Sequence, residues 1–320
     1  MPLHRIEQLT LGVPHVAAAA VFYEDFGLVR SHTTSTGSAE PGLVFGTTDG
    51  GDQLRLVHSA RRRLLEATFA ADDPDDLARI TRRLQHLDLP VPVTTTGTGK
   101  KTQCVAVEPA TGVSVRIVIR PRLVQPPAPA PVYNGPGRTP RTAQRAPGLL
   151  RPDPVRPRRL GHFVLGTTDF DITRRFFTDG LEFKVSDIVK DVGVFLRCST
   201  DHHNLLVQRA PVPFLHHTSW QVDDVDEIGR GAMSMLETDP GRHVWGLGRH
   251  YAGSNFFWYL KDPAGNFAEY HSDMDCIPED ALWTPEELEG ARGLFQWGPP
   301  PPPSFIKPED LADMMISSHP

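Results

Sequence analysis

The chain repeats itself, and the repeat limits its fold more than any single motif does. Residues 5–12 read RIEQLTLG and residues 159–166 read RLGHFVLG, both strand-like in their alternation. Each is followed by an amphipathic helical segment carrying aromatics, Val21-Phe22-Tyr23 in one half and Arg175-Phe176-Phe177 in the other. The segments end near Gly27-Leu28 and Gly180-Leu181, and strand-like stretches follow at 53–57 and 204–208. A further strand then runs into an acidic pair, Asp72-Asp73 after Thr68-Phe69 and Asp223-Asp224 after Ser219-Trp220. Such pairs suit a helix N-terminus, where a carboxylate accepts from unpaired backbone N–H groups. Each half closes with strand, Pro-containing turn, strand, at 105–118 and 256–271. The pattern implies an α+β protein of βαβββ modules in two tandem domains. About one and a half to two modules can be counted per half.

Between the halves the composition changes. Residues 121–159 hold 11 Pro and eight Arg, with Asp153 as the only acid. Pro removes donors and favours extended backbone, so this is a linker. Its basic charge reads as a strap lying along the chain's own acidic surfaces rather than as a nucleic-acid site. The expected organisation is a first domain over 1–120, a linker over 121–159, a second domain over 160–275 and a tail over 276–320. A net charge of −6 argues against a general nucleic-acid binder. No run of 18 apolar residues exists, so no membrane-spanning helix is expected, and the Ala stretch at 17–20 is too short for a secretory signal. Cys104, Cys198 and Cys276 lie far apart and fit no metal spacing, which points to a reduced, cytoplasmic setting.

Histidine marks the second half as the chemical one. Eight of the 14 His lie between His162 and His271, and all five Trp follow residue 219. His162 falls on the first strand of that half, His216-His217 open the strand before the acidic pair, and Glu269 falls on the last strand, after the turn Asp262-Pro263-Ala264-Gly265. Two His and one carboxylate on one face leave three metal positions open for a chelating substrate and O₂. Neutral imidazoles with one carboxylate also leave net positive charge, which favours an anionic ligand. Neighbours on a strand face opposite ways, so only one of His216 and His217 can point at a metal, and periodicity does not choose between them.

The repeat supplies a control. Gln8 aligns with His162, Glu66 with His217 and Arg116 with Glu269, at offsets of 154, 151 and 153 residues. A second register of the last strand would put Val115 in place of Arg116. The first half thus keeps the strands without the ligands, and an Arg there would repel a cation. One metal site per chain is expected.

The run Gly248-Arg249-His250, seven residues, Trp258-Tyr259, two residues, Asp262-Pro263-Ala264-Gly265, three residues, Glu269 closely resembles the signature of type I extradiol ring-cleavage dioxygenases of the vicinal oxygen chelate superfamily. Trp258 departs from the aliphatic residue or Phe usual before the Tyr. The resemblance covers about residues 160–272. It implies the fold named for that superfamily, with paired βαβββ modules curling a mixed sheet around the site in each half. It implies His162, His217 and Glu269 as ligands of Fe(II), a set that also binds Mn(II). It further implies an acid–base histidine at His203, with His202 as competitor, and His250 with Tyr259 as a pair hydrogen-bonding to substrate and oxygen. The reaction implied is cleavage of a substituted catechol by O₂ to a yellow hydroxymuconic semialdehyde-type product, and the assembly implied is a homo-oligomer.

Other readings within the superfamily are a 2-oxo-acid-dependent oxygenase, which lacks this signature, a glyoxalase-like lyase or isomerase, which usually draws ligands from both halves, and a drug-binding module, which needs no metal. Phe195, Trp245, Trp258 and Phe305 would favour an apolar substituent if they line the pocket. Arg249 and Arg292 would allow a carboxylate if they point in. His243 and His271 match no role and read as surface or supporting residues. The tail reads as a helix begun by Thr284 with Glu286 and Glu287 in its first turn, then Phe295-Gln296-Trp297-Gly298, five prolines, Ser304-Phe305-Ile306 and a short helix from near Pro308. It suits a partner-binding strip or a cover over the site, and the cover is the preferred reading.

Overall fold

The computed structural model describes residues 1–31, 42–95 and 101–316. In the first half, β1 (Leu3–Val13), α1 (Val16–Asp25), β2 (Val29–Arg30), β3 (Leu43–Thr47) and β4 (Gly51–His58) form one βαβββ module. A second follows as β5 (Arg63–Ala71), α2 (Pro74–Gln85), β6 (Val93–Thr95), β7 (Lys101–Val107) and β8 (Ser114–Ile119). The second half repeats this with β9 (Arg159–Thr167), α3 (Phe170–Arg175), β10 (Lys184–Val189), β11 (Gly193–Arg197) and β12 (Leu205–Arg209). Its other module is β13 (Phe214–Gln221), α4 (Val225–Thr238), β14 (His243–Arg249), β15 (Phe256–Lys261) and β16 (Phe267–Ser272). Each half therefore has two full modules. The count from sequence falls short because β2 spans only two residues and leaves little periodic signal.

Each half is one mixed sheet. The first has the order β2-β3-β4-β1-β5-β8-β7-β6, and the second adds β17 (Glu287–Leu288) to give β14-β15-β16-β13-β9-β12-β11-β10-β17. The acidic pairs cap their helices as expected: Asp73 accepts from the N–H groups of Asp75 and Asp76 at 2.8 and 2.9 Å, and Asp224 from Glu227 at 3.1 Å. α2 then buries Leu77, Ile80, Thr81 and Leu84, a helical stripe.

The halves share a core. Phe26 stacks on Tyr270 with centroids 3.9 Å apart, and Phe69 meets Phe163, Phe177 and Phe183. The linker lies along acidic groups of both halves: Arg122 pairs with Asp72, Arg151 with Asp224 and Glu227, and Arg158 with Asp49 and Asp223.

The tail departs from its sequence pattern. Glu287 and Leu288 form a strand on the edge of β10, because Ile188 N–H donates to Glu286 O and Lys190 N–H to Leu288 O. An open sheet edge outcompetes the helix start that Thr284 suggests. α5 (Pro303–Ile306) and α6 (Leu311–Ile316) follow.

Candidate metal centre and active site

Three side chains meet at the middle of the second sheet, where β16, β13 and β9 are neighbours. Ser219 on β13 pairs with His162 on one side and with Glu269 on the other, and His217 lies two residues earlier on the same face. Nε2 of His162 is 3.0 Å from Oε2 of Glu269, and Nε2 of His217 is 3.5 Å from the same oxygen. One nitrogen or oxygen from each of the three lies within 4.8 Å of the others. All three residues are buried, Glu269 completely.

Nε2 of His217 and Oε2 of Glu269 make no hydrogen bond. A buried polar atom left unpaired costs about 1–3 kcal/mol. Converging unpaired N and O donors fit a divalent cation of the borderline type. Burial pushes the imidazole of His162 down to about 3 and that of His217 well below the usual range, so both are neutral with lone pairs to give. Burial raises the carboxyl of Glu269, an effect that a cation beside it would reverse.

The first half shows what the same geometry becomes without the ligands. Glu66 pairs with Ser114 and Thr68 with Arg116, the counterparts of His217 with Phe267 and Ser219 with Glu269, so the register places Arg116, not Val115, opposite Glu269. Arg116 donates to both oxygens of Glu66 at 3.0 and 2.8 Å. The guanidinium brings its own positive charge to the place a cation would take.

The paired histidines are resolved by a bulge. The β9–β13 ladder shifts register between Leu215 and His217, leaving His216 as the extra residue. The two rings are thereby neighbours rather than opposed, with Nδ1 to Nδ1 at 2.8 Å. Nε2 of His216 lies 2.6 Å from the carbonyl oxygen of Phe305. A carbonyl only accepts, so that nitrogen carries the proton. Burial pushes His216 down to about 4, so its Nδ1 is a lone pair and Nδ1–H of His217 donates to it. Nε2 of His217 is left to bind.

His202 and His203 repeat the arrangement. Nε2–H of His202 donates to Oδ2 of Asp187 at 2.9 Å, and its Nδ1 accepts from Nδ1–H of His203 at 3.0 Å. The other oxygen of Asp187 is held by the N–H of Glu286 at 2.8 Å. His203 lines the cavity, 4.2 Å from His162 ring to ring, and presents an unprotonated Nε2. His202 faces Asp187 and Trp283 instead. Across the cavity, Nδ1–H of His250 donates to Leu294 O, and its Nε2 lies 2.9 Å from the hydroxyl of Tyr259. Burial raises the phenol of Tyr259 well above its usual value, so it remains a donor.

Several contributors are not legible in the sequence. Asn255 donates to Oε1 of Glu269 at 3.2 Å and fixes the carboxylate. Asp187 sits on β10, far from any motif. His271, expected as a surface or supporting residue, is buried with Nδ1 2.7 Å from Ser219 Oγ and its ring 5.2 Å from His162.

The cavity has a volume of about 340 Å³ and carries His162, His203, His217, His250 and Tyr259 in its walls. Val164, Val189, Val192, Phe195, Leu206 and Ala252 supply apolar wall, and Leu294, Phe305 and Ile306 of the tail complete it. Strands from opposite ends of the sheet order share this lining, so the sheet curls around it. Trp245 and Trp258 are not in the lining: Trp245 stacks on Tyr259 from behind, and Trp258 Nε1 donates to His243. Arg249 pairs with Asp273, and Arg292 lies over the ring of Tyr251 beside a neighbouring cavity. Among the described residues, the cation in the lining is Arg209, exposed and stacked on Phe170 at 4.4 Å.

Residues 159–270 match the model of the Glyoxalase/Bleomycin resistance protein/Dioxygenase superfamily. The chain is 31% identical over 314 residues to metapyrocatechase 2 of Cupriavidus necator, across 95% of this chain and 92% of that protein. It is 29% identical over 157 residues to a manganese-dependent 2,3-dihydroxybiphenyl 1,2-dioxygenase of Geobacillus genomosp. 3, covering 45% and 50% of the two chains. The solved Mn(II)-bound glyoxalase from Novosphingobium aromaticivorans superposes with a TM-score of 0.71 at 25% identity, covering 94% of this chain and 95% of that one. The chain belongs to the glyoxalase/dioxygenase superfamily, whose paired-module fold it shares. Within that superfamily it is an extradiol ring-cleavage dioxygenase that works with a divalent metal. Among the described residues no helix is long and apolar enough to cross a membrane.

Proposed function

We propose that this chain cleaves catechols bearing an apolar substituent, beside the two hydroxyls, with O₂ and with Fe(II) held by His162, His217 and Glu269. The observation that carries the reading is a buried set of unpaired donor atoms at the inner wall of an apolar cavity that also presents His203, His250 and Tyr259. When bound, the metal supplies positive charge that acidifies the diol and a path for electrons from the ring to O₂. Mn(II) suits the same donors, and one relative and one solved neighbour are named for it.

The chain's own groups manage position and protons. His203 takes a proton from the diol at Nε2, because Asp187 and His202 hold its other proton on Nδ1. The negative charge of the ionised diol beside it offsets the burial that otherwise keeps the ring neutral. The same nitrogen can return that proton to oxygen as the ring opens. The Tyr259 hydroxyl, which at rest donates to Nε2 of His250, can turn its proton toward oxygen as charge develops there. Phe195, Leu206, Phe305 and the valines exclude water and grip a ring substituent. With Arg249 and Arg292 engaged elsewhere, the cation left in the lining among the described residues is Arg209, at its exposed end and stacked on Phe170, so the inner wall favours an apolar substituent over a carboxylate. Both atoms of O₂ end in the product, a ring-opened hydroxymuconic semialdehyde or its ketone analogue.

The test is anaerobic loading with Fe(II), then air and a panel of substituted catechols, followed by near-visible absorbance. A yellow product that is lost in His217→Ala and Glu269→Ala supports the reading. Tight metal binding without colour from any catechol would assign another oxygenase reaction, and failure to bind a divalent metal would overturn the site.

A further inference from the structure

Among the described residues, the tail reaches the candidate ligand His217 by way of Phe305 and His216, and the ligand-free first half holds the tail in place. The carbonyl of Phe305 accepts from Nε2 of His216, and Nδ1 of His216 accepts from His217. The ring of Phe305 packs on His216, Tyr259 and Trp245 with centroids 4.7 Å apart in each case. Five residues on, Asp310 receives Nε and Nη2 of Arg62 at 2.6 and 2.8 Å. Arg62 belongs to the first half and is buried. Its Nη1 also donates to the carbonyl of Leu215 at 2.8 Å, immediately before the bulged His216. One guanidinium thus clamps the tail and the strand that presents the His pair. α6 extends the clamp by placing Leu311 and Met314 on Val212 and Phe214.

Resting on the reading of His217 as a metal ligand, we propose that His216 is a positioning residue through which the docked tail, latched by Arg62 and Asp310, fixes the metal-binding tautomer of His217. An imidazole has one proton to place when neutral. If His217 keeps it on Nδ1, Nε2 is a donor to the metal; if it moves to Nε2, that nitrogen cannot bind. The Phe305 carbonyl decides this two rings away. A hydrogen-bond acceptor on the distal nitrogen of a ligating His also raises its basicity, and losing such a partner typically weakens metal binding about 10- to 100-fold. Metal binding and tail docking are then coupled, and the coupling is reciprocal. The first half, although it carries no ligand, contributes to metal retention.

The experiment is titration of the metal-free full chain with Mn(II), measuring the dissociation constant by calorimetry or from the spin-resonance signal of free Mn(II). Wild type should bind one ion and Glu269→Ala none. Equal binding by the two would sink the underlying metal site, an outcome distinct from any effect of the tail. His216→Phe keeps the ring packing and loses both hydrogen bonds, and should weaken binding about 10- to 100-fold. Asp310→Asn touches no ligand and should weaken it in the same direction by a smaller factor. Added to His216→Phe, Asp310→Asn should change nothing further, because both act along one path. Wild-type affinity in folded His216→Phe, or a fully additive double variant, would overturn the proposal. If His216→Phe fails to fold, Asp310→Asn decides alone, and an unchanged dissociation constant there refutes the coupling.

Discussion

Asp187→Asn should convert His203 from a base into an acid without touching the metal site. The reason lies in the two partners of the carboxylate. Oδ1 accepts from the backbone N–H of Glu286 at 2.8 Å, and Oδ2 accepts from His202 Nε2–H at 2.9 Å. An amide has one oxygen and one NH₂. The backbone N–H can only donate, so it claims the oxygen, and the NH₂ must face His202. Nε2 of His202 then becomes an acceptor, its proton moves to Nδ1, and Nδ1 of His203 must accept. The proton of His203 is displaced to Nε2, facing the cavity, where the reaction needs a lone pair. The alternative is to break one buried bond, and a buried polar group left unpaired costs about 1–3 kcal/mol. Recovering the productive tautomer at that cost lowers kcat by about 5- to 150-fold, at about 1.36 kcal/mol per decade. Steady-state formation of the ring-opened product measures kcat, and metal analysis with thermal unfolding measures integrity. Wild-type kcat in a folded, metal-loaded Asp187→Asn would refute the relay. A rate loss matched by lost metal would refute its separation from the ligand set.

Two further outcomes are expected. Burial pushes His162 and His271 down to about 3 and His216 to about 4, so between pH 6.5 and these values the unfolded chain binds more protons than the folded one. Stability of the metal-free protein is therefore complete above pH 6.5 and falls as pH drops below it, by up to about 4 kcal/mol per pH unit near pH 5 for three such groups; a melting temperature that stays level from pH 7 to pH 5 would contradict this. Val192 is half-exposed at the cavity rim, and Val192→Lys should lower KM for a carboxylate-bearing catechol about two- to fivefold, as an exposed ion pair allows, with KM for unsubstituted catechol unchanged. A lowered KM for both would show that the added charge acts on the diol instead.

The internal repeat, the acidic helix starts and the spacing from His250 to Glu269 are legible because each depends on local rules: strand alternation, capping chemistry and a tight turn. The control offered by Gln8, Glu66 and Arg116 is also legible, since strand order repeats between the halves and register follows from it. The second module of each half is less so, because short edge strands such as β2 hold too few residues for a period. The expected tail helix after Thr284 gives way to a strand because β10 offers an unpaired edge, which no local pattern records. Asn255 and Asp187 carry no signal at all: each acts by pointing at a partner that the chain reaches only after folding.

The modules, their duplication and the identity of the residues able to bind a metal follow from the order of amino acids alone, because side-chain chemistry and short-range periodicity are properties of adjacent residues. Folding sets the rest: His203 and not His202 faces the cavity, His216 and His217 both line it, each ring is held in one tautomer, and Arg249 and Arg292 stay out of the pocket. Those outcomes turn on a bulge at His216, a carboxylate from β10 and a carbonyl from Phe305. A neutral ring's tautomer is fixed by whichever group accepts its one N–H, and here that group lies 15 residues from His202 and 89 from His216.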